Sequence, residues 1–370
     1  MTKTTIRDVA KVAGVSPSSV SRSLRGLGGV STTTTERIRK AADRLGYSVS
    51  PAAYRLATGR TGTVAIVMPY LTRWFYSEIL GATEQVVREA GLDLLVYHVG
   101  DTEMRQRYFS SGLLRKRVDG VVLVTLALTE PEVAALRALD VPVCMVGAES
   151  EGFSSIAVDG VEAARTAVQH LVNLGHQRIG MISGDSHEPV HFTAPLHRRH
   201  GYRAALDAAG LPVGPELESQ GAFTVDGGDE ATVQLLGRRQ LPTAIFAECD
   251  EMAFGALRAL GRVGLRVPDD VSVVGFDDHP MAEYFQLTTM AQDVRTQGRQ
   301  IAEQLVCSVL DPSHRPAVKM RAHTQLVVRD STAAVRIDRQ PQGAAGDSAE
   351  GSSGRRAFEP VGAGARPGPR

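Results

Sequence analysis

From Thr61 onward, short apolar runs alternate with amphipathic helical stretches for about 270 residues. That alternation leaves very few architectures open. Strands are expected at 63–69, 93–99, 120–125, 142–146, 178–183, 243–247 and 271–276. Helices are expected at 76–90, 103–117, 130–139, 161–174, 197–209, 227–236 and 251–263. Strand–helix alternation of this kind calls for parallel sheets with helices on both faces. The stretch is too long for one typical sheet, so the α/β part divides into two lobes built on doubly wound parallel sheets.

The first 60 residues follow a different pattern. In 5–24, Ile6, Val9, Ala10 and Ala13 fall on one helical face, and Gly14 allows a sharp turn at the helix end. Ser16 is placed to cap a second helix, with Pro17 at its first position and Val20 and Leu24 facing the first helix. Two short helices crossing tightly describe a helix-turn-helix, although an ordinary helical hairpin has the same local pattern. In the first reading Pro17, Ser18, Ser21 and Arg22 face outward, toward a DNA major groove. Ser31 or Thr32 caps a third helix, 33–45, closed by Gly46. Its Arg37, Arg39, Lys40 and Arg44 read as a solvated face with phosphate contact as a second use.

Charge separates the two readings. Residues 1–60 hold eleven Lys and Arg against three Asp and Glu, a net +8, whereas the whole chain is neutral, so the remaining 310 residues carry −8. A basic head on an acidic body suits a protein whose head alone meets a polyanion. Residues 49–60 read as a linker, or as a hinge helix from Pro51 that orders when two copies meet on DNA, with Leu56 wedged in the minor groove. Residues 333–370, rich in Gly, Ala, Pro, Ser and Arg, are expected to be disordered.

Several classes are disfavoured. No apolar run approaches a membrane span, and the start Met-Thr-Lys-Thr-Thr lacks a signal core, which points to the cytoplasm. Cys144, Cys249 and Cys307 are odd in number and far apart, as in a reducing compartment, and lack metal-site spacing. His187, His191, His197 and His200 cluster near Pro189 and Pro195, where a loop is a simpler setting than a metal site. Asp269 and Asp270 read as solvated turn residues. Neither a phosphate-binding glycine loop nor a nucleophile–base arrangement is present, so no enzyme and no cofactor is expected.

The chain resembles the LacI/GalR family of bacterial transcriptional repressors over about residues 4–330. The resemblance rests on Ile6-Arg7-Asp8-Val9-Ala10 through Gly14-Val15-Ser16-Pro17 to Arg22, on Leu45-Gly46-Tyr47 and on Arg55-Leu56. It continues in Leu174-Gly175-His176, Arg198 with Gly201-Tyr202, and Asp250-Glu251-Met252-Ala253. It ends in Val267-Pro268-Asp269-Asp270 through Asp277-Asp278, and in Gln292. It implies a helix-turn-helix domain at 1–48, a hinge at 49–60, and a two-lobed effector-binding and dimerisation domain of the periplasmic-binding-protein type I fold at 61–332. It further implies a homodimer on double-stranded operator DNA. Pro17, Ser18 and Arg22 then face bases, Ser16, Ser19 and Ser21 face phosphates, and Leu56 forms the hinge wedge.

The same resemblance places a small effector in the inter-lobe cleft, with contacts at Tyr70, Trp74, Phe75, Arg198, Phe223, Asp250, Asp277 and Gln292. Trp74 also reads as a core aromatic at a helix start. Arg73-Trp74-Phe75-Tyr76 and Cys249 depart from the residues usual in relatives. The expected function is repression of sugar uptake or catabolism genes under allosteric control by a sugar. The alternatives are a nucleobase-responsive regulator of the same fold and a solute-binding protein.

Overall fold

The computed structural model describes residues 4–24, 29–47, 60–110, 112–184, 193–311, 313 and 316–335. The expected disordered tail lies almost wholly outside these residues, as does most of the expected hinge.

Three helices form the N-terminal unit: α1 (Ile6–Ala13), α2 (Pro17–Leu24) and α3 (Thr32–Arg44). Thr5 and Asp8 make a reciprocal capping box, with the Thr5 amide 2.9 Å from Asp8 Oδ2. Gly14 ends α1 in the left-handed region at φ 63°. Ser16 Oγ accepts from the Ser19 amide at 3.1 Å, and Ser31 Oγ from the Thr34 amide at 3.3 Å. The three helices share a core of Val9, Ala10, Ala13, Val20, Ile38, Ala41 and Ala42. Their small alanines permit the close crossing.

The body contains two six-stranded sheets. The first has the order β11-β5-β4-β3-β1-β2 and is wholly parallel: β1 (Thr63–Met68), β2 (Asp93–His98), β3 (Val121–Val124), β4 (Val143–Val146), β5 (Ser154–Val158) and β11 (Lys319–Ala322). The second has the order β12-β10-β9-β8-β6-β7: β6 (Ile179–Ser183), β7 (Glu218–Gln220), β8 (Ala244–Ala247), β9 (Ser272–Asp277), β10 (Thr288–Gln292) and β12 (Thr324–Val327). Only β12 runs antiparallel. The central strands are unbroken apolar runs because helices bury both faces.

In lobe 1, α4 (Trp74–Glu89) and α12 (Val294–Leu310) cover one face with Ile79, Val87, Ile301 and Leu305. On the other face Leu136 of α6 (Glu130–Arg137) and Leu114 pack near α5 (Thr102–Ser110). In lobe 2, α7 (Gly160–Asn173) and α8 (Ala194–Ala208) lie on one face, and α9 (Val225–Leu236) and α10 (Asp250–Arg262) on the other. A short α11 (Met281–Tyr284) follows β9.

The chain passes between lobes three times. The first two passages are alike: Asp159 (φ −77°, ψ 89°) ends β5 and caps α7, and Asp293 (φ −74°, ψ 88°) ends β10 and caps α12. Each carboxylate accepts a backbone N–H three residues on. The third passage is His323, between β11 and β12.

Three expectations change. The helix expected over 103–117 stops at Ser110, because Gly112 (φ 63°) and Lys116 (φ 59°) turn the backbone out of helical space. Strands β5, β7, β10, β11 and β12 escaped prediction, being short and rich in serine, threonine or charge. Helix α12 escaped too, since most of its first turns read as polar.

Candidate nucleic-acid interface and effector cavity

Helix α2 presents Pro17, Ser18 and Arg22 to solvent, while Ser19 and Ser21 are half-buried. The Ser16 hydroxyl is engaged in the cap and lies 2.7 Å from Ser18 Oγ and 2.9 Å from Ser19 Oγ. Arg37, Arg39, Lys40 and Arg44 are exposed on α3. Leu56 lies outside the described residues.

Between the lobes is a cavity of about 100 Å³. Lobe 1 contributes Arg73, Phe75, Tyr76, Thr125 and Val158; lobe 2 contributes His197, Arg198, Phe223, Cys249, Glu251 and Asp277; Gln292 and Gln297 flank the second passage. The strand C-termini and helix N-termini of both sheets converge here, as in other open α/β folds.

At its centre is a buried polar chain. Gln297 Nε2 donates to Gln292 Oε1 at 3.2 Å, and Gln292 Nε2 donates to Asp277 Oδ1 at 2.6 Å. Arg198 Nη2 lies 3.6 Å from the same carboxylate oxygen, and its guanidinium carbon sits 3.6 Å above the Phe276 ring. Arg198 Nη1 also donates to the Glu248 carbonyl. Among the described residues, Arg198 Nε is buried without a hydrogen-bond partner.

Burial raises Asp277 to about 6, against the pull of Arg198 and Gln292. Burial likewise raises Glu248 to about 8; its Oε2 accepts from the Gly184 amide at 2.7 Å. Several residues here take positive φ, among them Asp277 (117°), Asp278 (59°) and Phe223 (55°). Such backbone costs roughly 1–3 kcal/mol per residue and persists where the surroundings hold it.

Five of the eight expected effector residues thus line one cavity: Phe75, Arg198, Phe223, Asp277 and Gln292. The other three stand apart from its lining. Asp250 is buried behind it, accepting from Thr289 Oγ1 at 2.6 Å and from the His279 amide at 2.7 Å. Tyr70 lies under the Arg73 guanidinium and edge-on to Tyr76. Trp74 begins α4 and packs on the core and on His279, in keeping with its reading as a packing aromatic.

Arg73, His197, Glu251 and Gln297 were missed. Gln297 belongs to the unpredicted α12, and the others needed the lobes' approach to become neighbours. His197 and His200 lie on α8, while His187 and His191 fall outside the described residues. Among the described residues no cluster of metal-ligating side chains occurs, and no helix is long and apolar enough to cross a membrane. Asp269 and Asp270 are engaged with Arg266 rather than simply solvated.

Residues 5–50 match the bacterial regulatory proteins of the lacI family, and residues 168–332 match a periplasmic binding protein-like domain. The HTH-type transcriptional regulator CelR of Thermobifida fusca is 35% identical over 338 residues, covering 88% of this chain and 98% of CelR. A lac repressor dimer bound to operator and the anti-inducer ONPF superposes with TM-score 0.77 at 28% identity, over 90% of this chain and 100% of that one. A CelR–cellobiose complex gives TM-score 0.66 at 32% identity, over 89% and 100%. These relatives are regulators and not enzymes. An N-terminal helix-turn-helix joined to a two-lobed binding body, with this likeness along nearly its whole length, makes the chain a member of the LacI family of DNA-binding bacterial transcriptional regulators.

Proposed function

We propose that the chain is a repressor whose hold on operator DNA is set by a sugar in the inter-lobe cavity. The carrying observation is the cavity's chemistry. Phe75 and Phe223 supply aromatic rings for the apolar side of a sugar ring, and the Arg198–Asp277–Gln292 chain offers paired donors and acceptors to adjacent hydroxyls. The cellobiose held by the CelR neighbour supports the same class of ligand.

In this reading 1–48 reads DNA, 49–60 is the hinge with Leu56 as its wedge, 61–332 binds effector and dimerises, and 333–370 is a tail. Two surfaces suit a second copy. The open edge strand β2 exposes Leu95 and Val96, and Met281, Tyr284 and Phe285 stand out near Phe254. Effector binding shifts the population of lobe arrangements and, through the dimer, the spacing of the reading heads.

The test is a gel shift at low salt on the gene's own upstream DNA, with a panel of sugars and nucleobases. Binding that one sugar weakens or strengthens is expected. Failure to bind that DNA would refute the operator reading; a response to nucleobases alone would refute the sugar reading.

A further inference from the structure

The cavity's charged walls come from different lobes. Lobe 2 supplies Glu251 and Asp277, with Arg198 set against Asp277, and lobe 1 supplies Arg73. The Arg73 guanidinium lies over the Tyr70 ring, 3.4 Å from its centroid, which fixes it at the lobe 1 rim. Glu251 is the second residue of α10 and is half-buried on the lobe 2 side. Burial and the neighbouring Asp277 push its carboxyl above the usual range, while Arg73 pulls it back, so the two charges sense each other across the space.

We propose that Arg73 and Glu251 are the residues that set the charge of the effector, balancing the cavity so that it takes an uncharged, monosaccharide-sized polyol and rejects phosphorylated or carboxylated counterparts. This rests on the sugar reading above and narrows it.

Three observations support the narrowing. The inner guanidinium, Arg198, is already committed to Asp277, to the Glu248 carbonyl and to the Phe276 face, so an added anion would compete with a buried carboxylate for it. The lining carries two carboxylates and two guanidiniums, so any net charge on the ligand is left uncompensated at low dielectric. The volume, about 100 Å³, is well below the roughly 300–1,000 Å³ of drug-sized sites and suits one small ring.

The test is isothermal titration of the full chain with aldoses, their 6-phosphates, uronates and nucleobases. The readout is the ratio of affinities for a neutral aldose and its 6-phosphate. Wild type should favour the neutral sugar by about tenfold or more. Glu251→Gln should lower that ratio by about tenfold, and Arg73→Gln should raise it, whereas Arg73→Lys, which keeps the charge, should stay near wild type. Opposite movements separate charge selection from general damage to the cavity, which would weaken both ligands together. The proposal is overturned by a wild type that prefers the 6-phosphate, by ratios that do not move, or by both neutralised variants moving the same way; in each case the sugar reading survives. Binding of nucleobases alone, or of nothing in the panel, overturns the sugar reading and this proposal together.

Discussion

The indole of Trp74, at the start of α4 in lobe 1, lies 4.9 Å from the imidazole of His279 in lobe 2, centroid to centroid. His279 Nδ1 accepts from the Met281 amide at 3.0 Å, so the neutral ring carries its proton on Nε2. Burial holds His279 below its ordinary value, with Glu78 of lobe 1 pulling the other way. The contact joins the lobes beside the cavity.

Trp74 is the chain's single tryptophan, so tryptophan emission comes from this site alone. Because the fold favours the neutral imidazole, stability from this site is complete above the unfolded value of 6.5 and declines as pH falls below it. Acidification should therefore quench the emission with a midpoint under 6.5, as the imidazolium forms against the indole. His279→Gln should abolish the step, and an unchanged step in that variant would detach the emission from His279.

Asp277→Asn should stabilise the effector-free protein while removing effector response. With the folded value raised to about 6 from 3.8, the fold binds more protons than the unfolded chain between those limits. Stability from this group is present below 3.8 and is lost as pH rises through 6, at a cost of roughly 2–3 kcal/mol above it. Asparagine keeps an oxygen for Gln292 and carries no charge. Denaturant melts at pH 4 and pH 7.5 should show a gain confined to the higher pH, and a loss at pH 7.5 would contradict the argument.

Gly201 lies where α8 packs closely against α7. A Cβ there would stand 2.2 Å from the Val161 carbonyl oxygen and 2.9 Å from Ala164 Cβ. Gly201→Ala should cost about 1–3 kcal/mol by overpacking. Gly261→Ala, in α10 with nothing within 4 Å, should be neutral or stabilising by up to roughly 1 kcal/mol. Thermal melts of both variants check the contrast, and equal shifts would show that helix propensity alone is at work.

Arg22 is exposed on α2, the second helix of the helix-turn-helix and the one proposed to lie in the major groove. Arg22→Ala should weaken operator binding by about 1–3 kcal/mol and random DNA less. Filter binding at one salt concentration compares the two. Equal losses would make Arg22 a phosphate contact.

Local pattern carried a large part of this architecture. The α1–α2 turn was legible because Gly14, Ser16 and Pro17 each have one strongly preferred place at a helix end. The central strands β1, β3, β4, β6, β8 and β9 were legible because burial on both faces leaves unbroken apolar runs. Strands β11 and β12 were not, since an edge strand is defined by the neighbour it joins. Phe75, Arg198, Phe223, Asp277 and Gln292 were named from family likeness and meet in one cavity, whereas Tyr70, Trp74 and Asp250 do not line it.

What the sequence determined by itself was therefore local: helix ends, buried strand runs, a basic head and a chain long enough for two lobes. The tertiary structure decided which residues face one another across the lobes. Arg73 is 178 positions from Glu251, and Trp74 is 205 from His279. No periodicity relates residues so far apart. Their meeting depends on three passages of the chain between two sheets, two of them turned by Asp159 and Asp293, and on how closely the packed helices let those sheets approach.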